Sequence, residues 1–202
     1  MLLAGLGGLW AATTLPITAT AWGVTQWVWV FEYPVYVWAR QSTNDPYIVF
    51  GALASISFLA IGIALLPDLR RARWGGIVMA WLVIAGAPIT ALSYVNTRES
   101  APLHFIWGWE FYILVAVSVA GVAAAASAGP RWGIGVRSIL GMTLLILLVG
   151  TVALGYWPHG TLVALAAESI AVIAAAPRGV AFVDGTGAEP KDAQAPRAVP
   201  PA

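Results

Sequence analysis

Residues 103–126 read LHFIWGWEFYILVAVSVAGVAAAA, and the reading of this stretch decides the fold. It carries one charged group, Glu110, in an otherwise apolar run of about 20 residues, the length a helix needs to cross a bilayer. A carboxyl group in such a run costs a few kcal/mol even on lenient insertion scales, so it ordinarily faces a bundle interior and has a task there. Trp107, Trp109, Phe111 and Tyr112 flank the acid. The face of an aromatic ring attracts cations.

Similar apolar runs lie at about 3–22, 47–66, 75–94, 138–157 and 160–176, with 103–126 as the fourth in order. The chain is 60% hydrophobic and only 9% charged, where a soluble domain carries roughly 25% charged residues. These features predict an all-α, polytopic transmembrane bundle of about six spans, with a range of five to seven, over residues 1–178. Residues 179–202, rich in Gly, Pro and Ala, are expected to form a disordered tail.

Pro16 is expected to kink the first span. Ala19-Thr20-Ala21 resembles a signal-peptidase site, yet no basic segment precedes it, so a retained helix is expected. Residues 27–38 are too aromatic for an ordinary span and suit an interface or a lid over a pocket. Gln41 to Tyr47 reads as a polar turn, with Asp45 before Pro46 as its former.

The arginines set the orientation. Arg70, Arg71, Arg73, Arg131, Arg137 and Arg178 fall on one side, and Arg40 and Arg98 on the other. The positive-inside rule then puts loops 67–74 and 129–137 and the C-terminus in the cytoplasm. Abundant Ala, Val, Gly and Arg suit a GC-rich bacterial genome, hence a bacterial cytoplasmic membrane. A net charge of +1 gives no reason to expect a nucleic-acid partner. The absence of cysteine excludes disulfides, thiolate metal sites and cysteine nucleophiles. No metal or cofactor is expected, because no His and acid spacing joins ligands on one helix face and no phosphate-binding loop is present.

This topology gathers Glu32, Glu110, Asp45, His104 and His159 in the outer half. Glu168, about 12 Å down the last span, is expected at a depth similar to that of Glu110, about 10 Å down its own. Burial favours the neutral form of such groups. Glu110, Glu168 and Glu32 are therefore the candidate catalytic acids. Trp29, Phe31, Tyr33, Trp38, Trp81, Trp107, Trp109, Tyr112 and Trp157 are the candidate substrate-binding rings. An aromatic belt explains many of them equally well, though not the mid-span Trp81. His159, in a Pro-His-Gly corner, reads as a solvated turn residue.

Trp109-Glu110-Phe111, with Tyr112 after it, resembles the Trp-Glu-Phe helix of small integral-membrane terpene cyclases of fungal meroterpenoid and bacterial drimentine-type pathways. Glu168 occupies a last-helix position like that family's second acid, an Asp there. Phe31-Glu32-Tyr33, followed by Tyr36, is an equally fair counterpart of the first acid, which lies near the N-terminus in the fungal members. The resemblance implies a hydrophobic prenylated substrate, protonation of its alkene or epoxide by a neutral carboxylic acid, and ring faces that stabilise the cation. Competing classes are a lipid-, sterol- or porphyrin-binding or transport protein, in the style of the translocator-protein family, and an accessory subunit of a membrane complex. A relative of the four-span sterol isomerases is a further alternative. Oligomeric state is not legible.

Overall fold

Where water is scarce, a chain satisfies its backbone polar groups within helices. The computed structural model describes residues 20–21, 24–25, 27–43, 45–130, 132–154 and 158–177, with side chains from residue 35 onward, Pro46 excepted. These residues form seven α-helices. They are α1 (Trp27–Ser42), α2 (Pro46–Leu69), α3 (Arg73–Val95), α4 (Glu110–Ser127), α5 (Ile134–Gly141), α6 (Thr143–Leu154) and α7 (His159–Ala175). A two-residue antiparallel ladder pairs β1 (Thr20–Ala21) with β2 (Val24–Thr25).

Asp45 starts α2 as its N-cap, accepting a hydrogen bond from the Tyr47 N–H at 3.1 Å, with Pro46 in the first turn. Helical residues then run without a gap through Tyr47–Val95, 49 residues in all. That run is a hairpin. The chain reverses at Arg73, whose φ is 61°. Gly51 meets Tyr94, Gly62 meets Ile84, Gly86 meets Phe58 and Gly76 meets Leu69, an antiparallel register from end to end. A Cβ at any of these glycines would overlap the facing helix, so their small size sets how close α2 and α3 lie.

The other seams follow the same rule. Gly75 abuts Ala123, and Ser127 donates to the Ala72 carbonyl at 2.7 Å across the α3–α4 seam. At its opposite end the Gly108 N–H donates to Ser93 Oγ at 3.0 Å. Gly121 brings α4 against Leu140 and Thr143. The Thr151 and Thr161 hydroxyls join α6 to α7 at 2.7 Å. Phe50 and His159, ring centroids 5.7 Å apart, bring α7 back to α2 and close the ring of helices.

Phe58, Ile61, Leu65, Met79, Leu114, Leu140 and Leu165 fill the interior. The outward face is apolar too: Ile56, Ile63, Val119 and Val152 are each more than half exposed. A helix apolar on every side needs a non-aqueous surround. Two stretches, Tyr47–Val95 and His104–Ser127, are long and apolar enough to cross a membrane, and α5 with α6 makes a third if the bent pair counts as one. Because the first stretch is a hairpin, it supplies two helices of 24 and 23 residues.

Several sequence expectations change. The fourth span runs His104–Ser127, as expected, but a turn at Gly108, φ +86°, divides it, and the regular helix α4 starts at Glu110. The loop before it is tied to the end of α3 by Asn96, whose Oδ1 accepts from the Leu103 N–H at 3.3 Å and whose Nδ2 donates to the Leu92 carbonyl at 2.8 Å. The fifth span is broken, with α5 and α6 meeting at 59°. The aromatic stretch at 27–38 lies within a single helix, α1, of 16 residues. Thr20–Ala21 pairs as a strand where the end of a first helix was expected. The rest of that span before residue 20, and the tail from 178, lie outside the described residues.

Candidate functional site

The strongest chemistry sits where the broken helix meets α7. After Gly141 the chain bends at Met142, and Thr143 begins α6. The Thr143 hydroxyl lies 2.8 Å from the Leu140 carbonyl and 2.6 Å from Oε1 of Glu168. Thr143 is fully buried and Glu168 is 4% exposed. The second carboxyl oxygen, Oε2, is buried with no hydrogen-bond partner among the described residues. Two acceptors thus converge on one hydroxyl proton. All three oxygens are satisfied together when Glu168 is the acid, its O–H donating to Thr143 and Thr143 donating to Leu140.

Glu110 is buried as well, 2% exposed in the first turn of α4, and its Oε2 has no partner among the described residues. The two acids do not share a depth. Glu168 is level with Thr143, which packs on Gly121. From Glu110 to Gly121 is 11 residues of α4, about 16 Å of helix at 1.5 Å per residue. The equal-depth expectation fails because Glu110 lies at the outer end of α4 while Glu168 lies about midway along α7.

The expected ring of aromatics around Glu110 is not assembled by the described side chains. Successive residues on a helix point about 100° apart. Glu110 turns inward, with Leu114 and Val117 on its face, while Phe111 and Tyr112 turn outward. Trp38, Trp81 and Tyr112 are 57%, 56% and 66% exposed, and Trp109 also faces out. Phe105, Trp109, Tyr112 and Phe111 form an edge-to-face ladder on the outer surface, with centroids 5.5–6.5 Å apart. Trp107 packs instead edge-on to Tyr94 at 5.3 Å. Glu32, Trp29, Phe31 and Tyr33 lie on α1, and their side chains, like all of Trp157, fall outside the described residues.

A buried aromatic cluster replaces the expected pocket at this end. His159 is 6% exposed, not solvated. Its Nε2 lies 3.4 Å from the Tyr94 hydroxyl, and its ring meets Phe50 edge-on. Phe50 reaches Tyr36 of α1, and Tyr47 reaches Trp107. The corner that looked like a free turn is the first residue of α7, packed against α2 and α3. A separate open cleft of about 400 Å3 lies among Thr43, Asp45, Ile48 and Arg98, with Arg98 and Asp45 paired at 3.7 Å.

Among the described residues no group of three His, Asp or Glu side chains gathers to hold a metal. Sequence reasoning named both acids but missed Thr143. A hydroxyl within an apolar run, directly after Gly141-Met142, was the available signal for it. Comparison with protein families, with curated proteins and with solved structures finds no match to this chain.

Proposed function

We propose that this chain is a six-span integral protein of a bacterial cytoplasmic membrane, whose working group is the acid of Glu168. Five of the spans are α2, α3, α4, the bent α5–α6 pair and α7; the sixth rests on the sequence alone, on the apolar run that precedes the Thr20–Ala21 strand. α1, which carries Glu32 and Arg40 within its 16 residues and packs Tyr36 on Phe50 near the start of α2, is assigned to the outer end. Loops 67–74 and 129–137 face the cytoplasm, as does the C-terminus.

The reaction proposed is the proton-initiated cyclisation of a prenyl chain that enters from the lipid. The supporting observation is the arrangement of Glu168: one oxygen is committed to Thr143 at a helix break, and the other is buried without a partner. The carboxyl proton leaves its hydrogen bond to Thr143 for a terminal alkene or epoxide, the Thr143 hydroxyl then donates to the carboxylate left behind, the cation closes rings, and that carboxylate takes a proton from the last cation, so substrate and product are isomers. The likeness to membrane terpene cyclases supports the same reading. Glu110 and Glu32 remain the alternative proton donors.

The test supplies membranes containing the protein with linear prenylated indoles and phenols and looks for cyclised isomers of unchanged mass. The expected result is turnover by the wild type and a loss of at least about 100-fold in Glu168→Gln. Full activity in Glu168→Gln removes that residue as the donor. One observation favours a second reading: the exposed aromatic ladder at Phe105, Trp109 and Tyr112 suits a surface that binds a lipophilic molecule or a partner subunit. Tight binding that quenches tryptophan fluorescence, without turnover of any prenylated substrate, selects it.

A further inference from the structure

The cleft of about 400 Å3 at the end of the α2–α3 hairpin takes no part in the chemistry of Glu168. It is lined by Thr43, Asp45, Ile48, Val95, Arg98 and Ser100. Asp45 is the N-cap of α2 and Val95 is the last residue of α3, so the cleft opens where helices of 24 and 23 residues end. Helices of that length run about 35 Å, enough to cross the hydrocarbon and bring their ends to headgroup level.

The ion pair within the cleft is loose. Arg98 approaches Oδ2 of Asp45 only to 3.7 Å, beyond hydrogen-bond reach. The other oxygen, Oδ1, is committed to the Tyr47 N–H at 3.1 Å. Among the described residues neither Oδ2 nor the Arg98 guanidinium makes a hydrogen bond. Beside these charges the walls are apolar and open to the surround. Ile48 is 51% exposed, Val95 60%, and Leu92, one turn back along α3, 47%. A charged mouth thus leads onto an apolar strip on the outside of the bundle.

We propose that this cleft seats the headgroup of an aminophospholipid, with its phosphodiester on Arg98, its primary ammonium on Asp45 and an acyl chain along Val95 and Leu92. A guanidinium fork matches phosphate oxygens. A carboxylate oxygen with a hydrogen bond to spare favours a primary ammonium, which donates three, over a quaternary one, which donates none. One charge of each sign likewise favours a zwitterion over an anionic headgroup. The inference rests on the membrane reading and not on proton transfer by Glu168, so it stands or falls separately from turnover of any prenylated substrate.

The test adds phosphatidylethanolamine, phosphatidylcholine or phosphatidylglycerol of identical acyl chains to the full chain in detergent and follows the thermal midpoint by tryptophan fluorescence. A lipid that binds the folded state raises the midpoint, and the rise grows with its mole fraction. Phosphatidylethanolamine is expected to give the same rise at roughly a tenth of the mole fraction the other two require, the scale of one charge-assisted hydrogen bond. Asp45→Asn keeps the N-cap and loses the charge. It is expected to bring the ethanolamine lipid down to the level of the choline lipid and to leave the choline lipid unchanged. Arg98→Gln is expected to weaken both, since both carry the phosphodiester. A purely structural role for either side chain shifts the midpoint equally with every lipid and contradicts the assignment. Glycerophosphoethanolamine, the headgroup without chains, is expected to give no rise at the same concentration; a rise equal to that of the lipid marks a soluble ligand and overturns the proposal. Equal rises with all three lipids, a preference for either of the other two, or an ethanolamine preference that survives both substitutions overturns it as well.

Discussion

At the scale of single residues, the account rests on how many protons the oxygens around Glu168 share. Gln in its place keeps a donor for Thr143 Oγ1 and the same shape, so Glu168→Gln is expected to fold with stability within about 1 kcal/mol of wild type. Thr143→Val strips the acid of the one partner it has among the described residues. Its cost is expected at about 1 kcal/mol, given that interhelical hydrogen bonds in membranes average about 0.6 and a newly orphaned group adds to this. Unfolding of the purified protein in denaturing detergent reads both values. A Thr143→Val variant as stable as wild type contradicts the hydrogen bond. Chemical and structural roles separate here, because Gln preserves the contact and removes the transferable proton.

At the scale of elements, close approach is set by glycine. A Cβ at Gly121 would overlap the Thr143 hydroxyl and the Leu140 carbonyl, the groups that position Glu168. Gly121→Val is therefore expected to push α4 away from the α5–α6 break and to cost about 1–3 kcal/mol. Gly135→Val is the control, since a Cβ there meets nothing within 4 Å. Equal thermal midpoints for the two variants count against the packing described. Element positions were largely legible: the runs at 47–66, 75–94 and 160–176 agree with α2, α3 and α7 to within a few residues, because apolar length and flanking polar loops govern them. The turn at Gly108 and the break at Met142 were not, because they arise from tertiary ties such as Asn96 to Leu103 and Thr143 to Glu168. Sequence adjacency also misled around Glu110, where neighbours along the chain diverge around the helix.

At the scale of the whole molecule, the absence of cysteine offers a clean reporter background. Ser100→Cys, in the proposed outer loop, is expected to react with a membrane-impermeant maleimide in intact cells, and Arg70→Cys only after lysis. The reverse pattern inverts the topology. The central claim is that Glu168 delivers a solvent-exchangeable proton, and with an alkene substrate, where that proton goes to carbon, cyclisation in deuterium oxide tests it most directly. A deuteron added to the alkene and a proton lost at the last step leave the product one mass unit heavier than its substrate. Wild-type membranes are predicted to give cyclised product carrying one deuterium at the former alkene carbon, and Glu168→Gln membranes, with folded protein at equal level, to give essentially none. Product that forms without deuterium, or that forms at full rate in Glu168→Gln, contradicts the account.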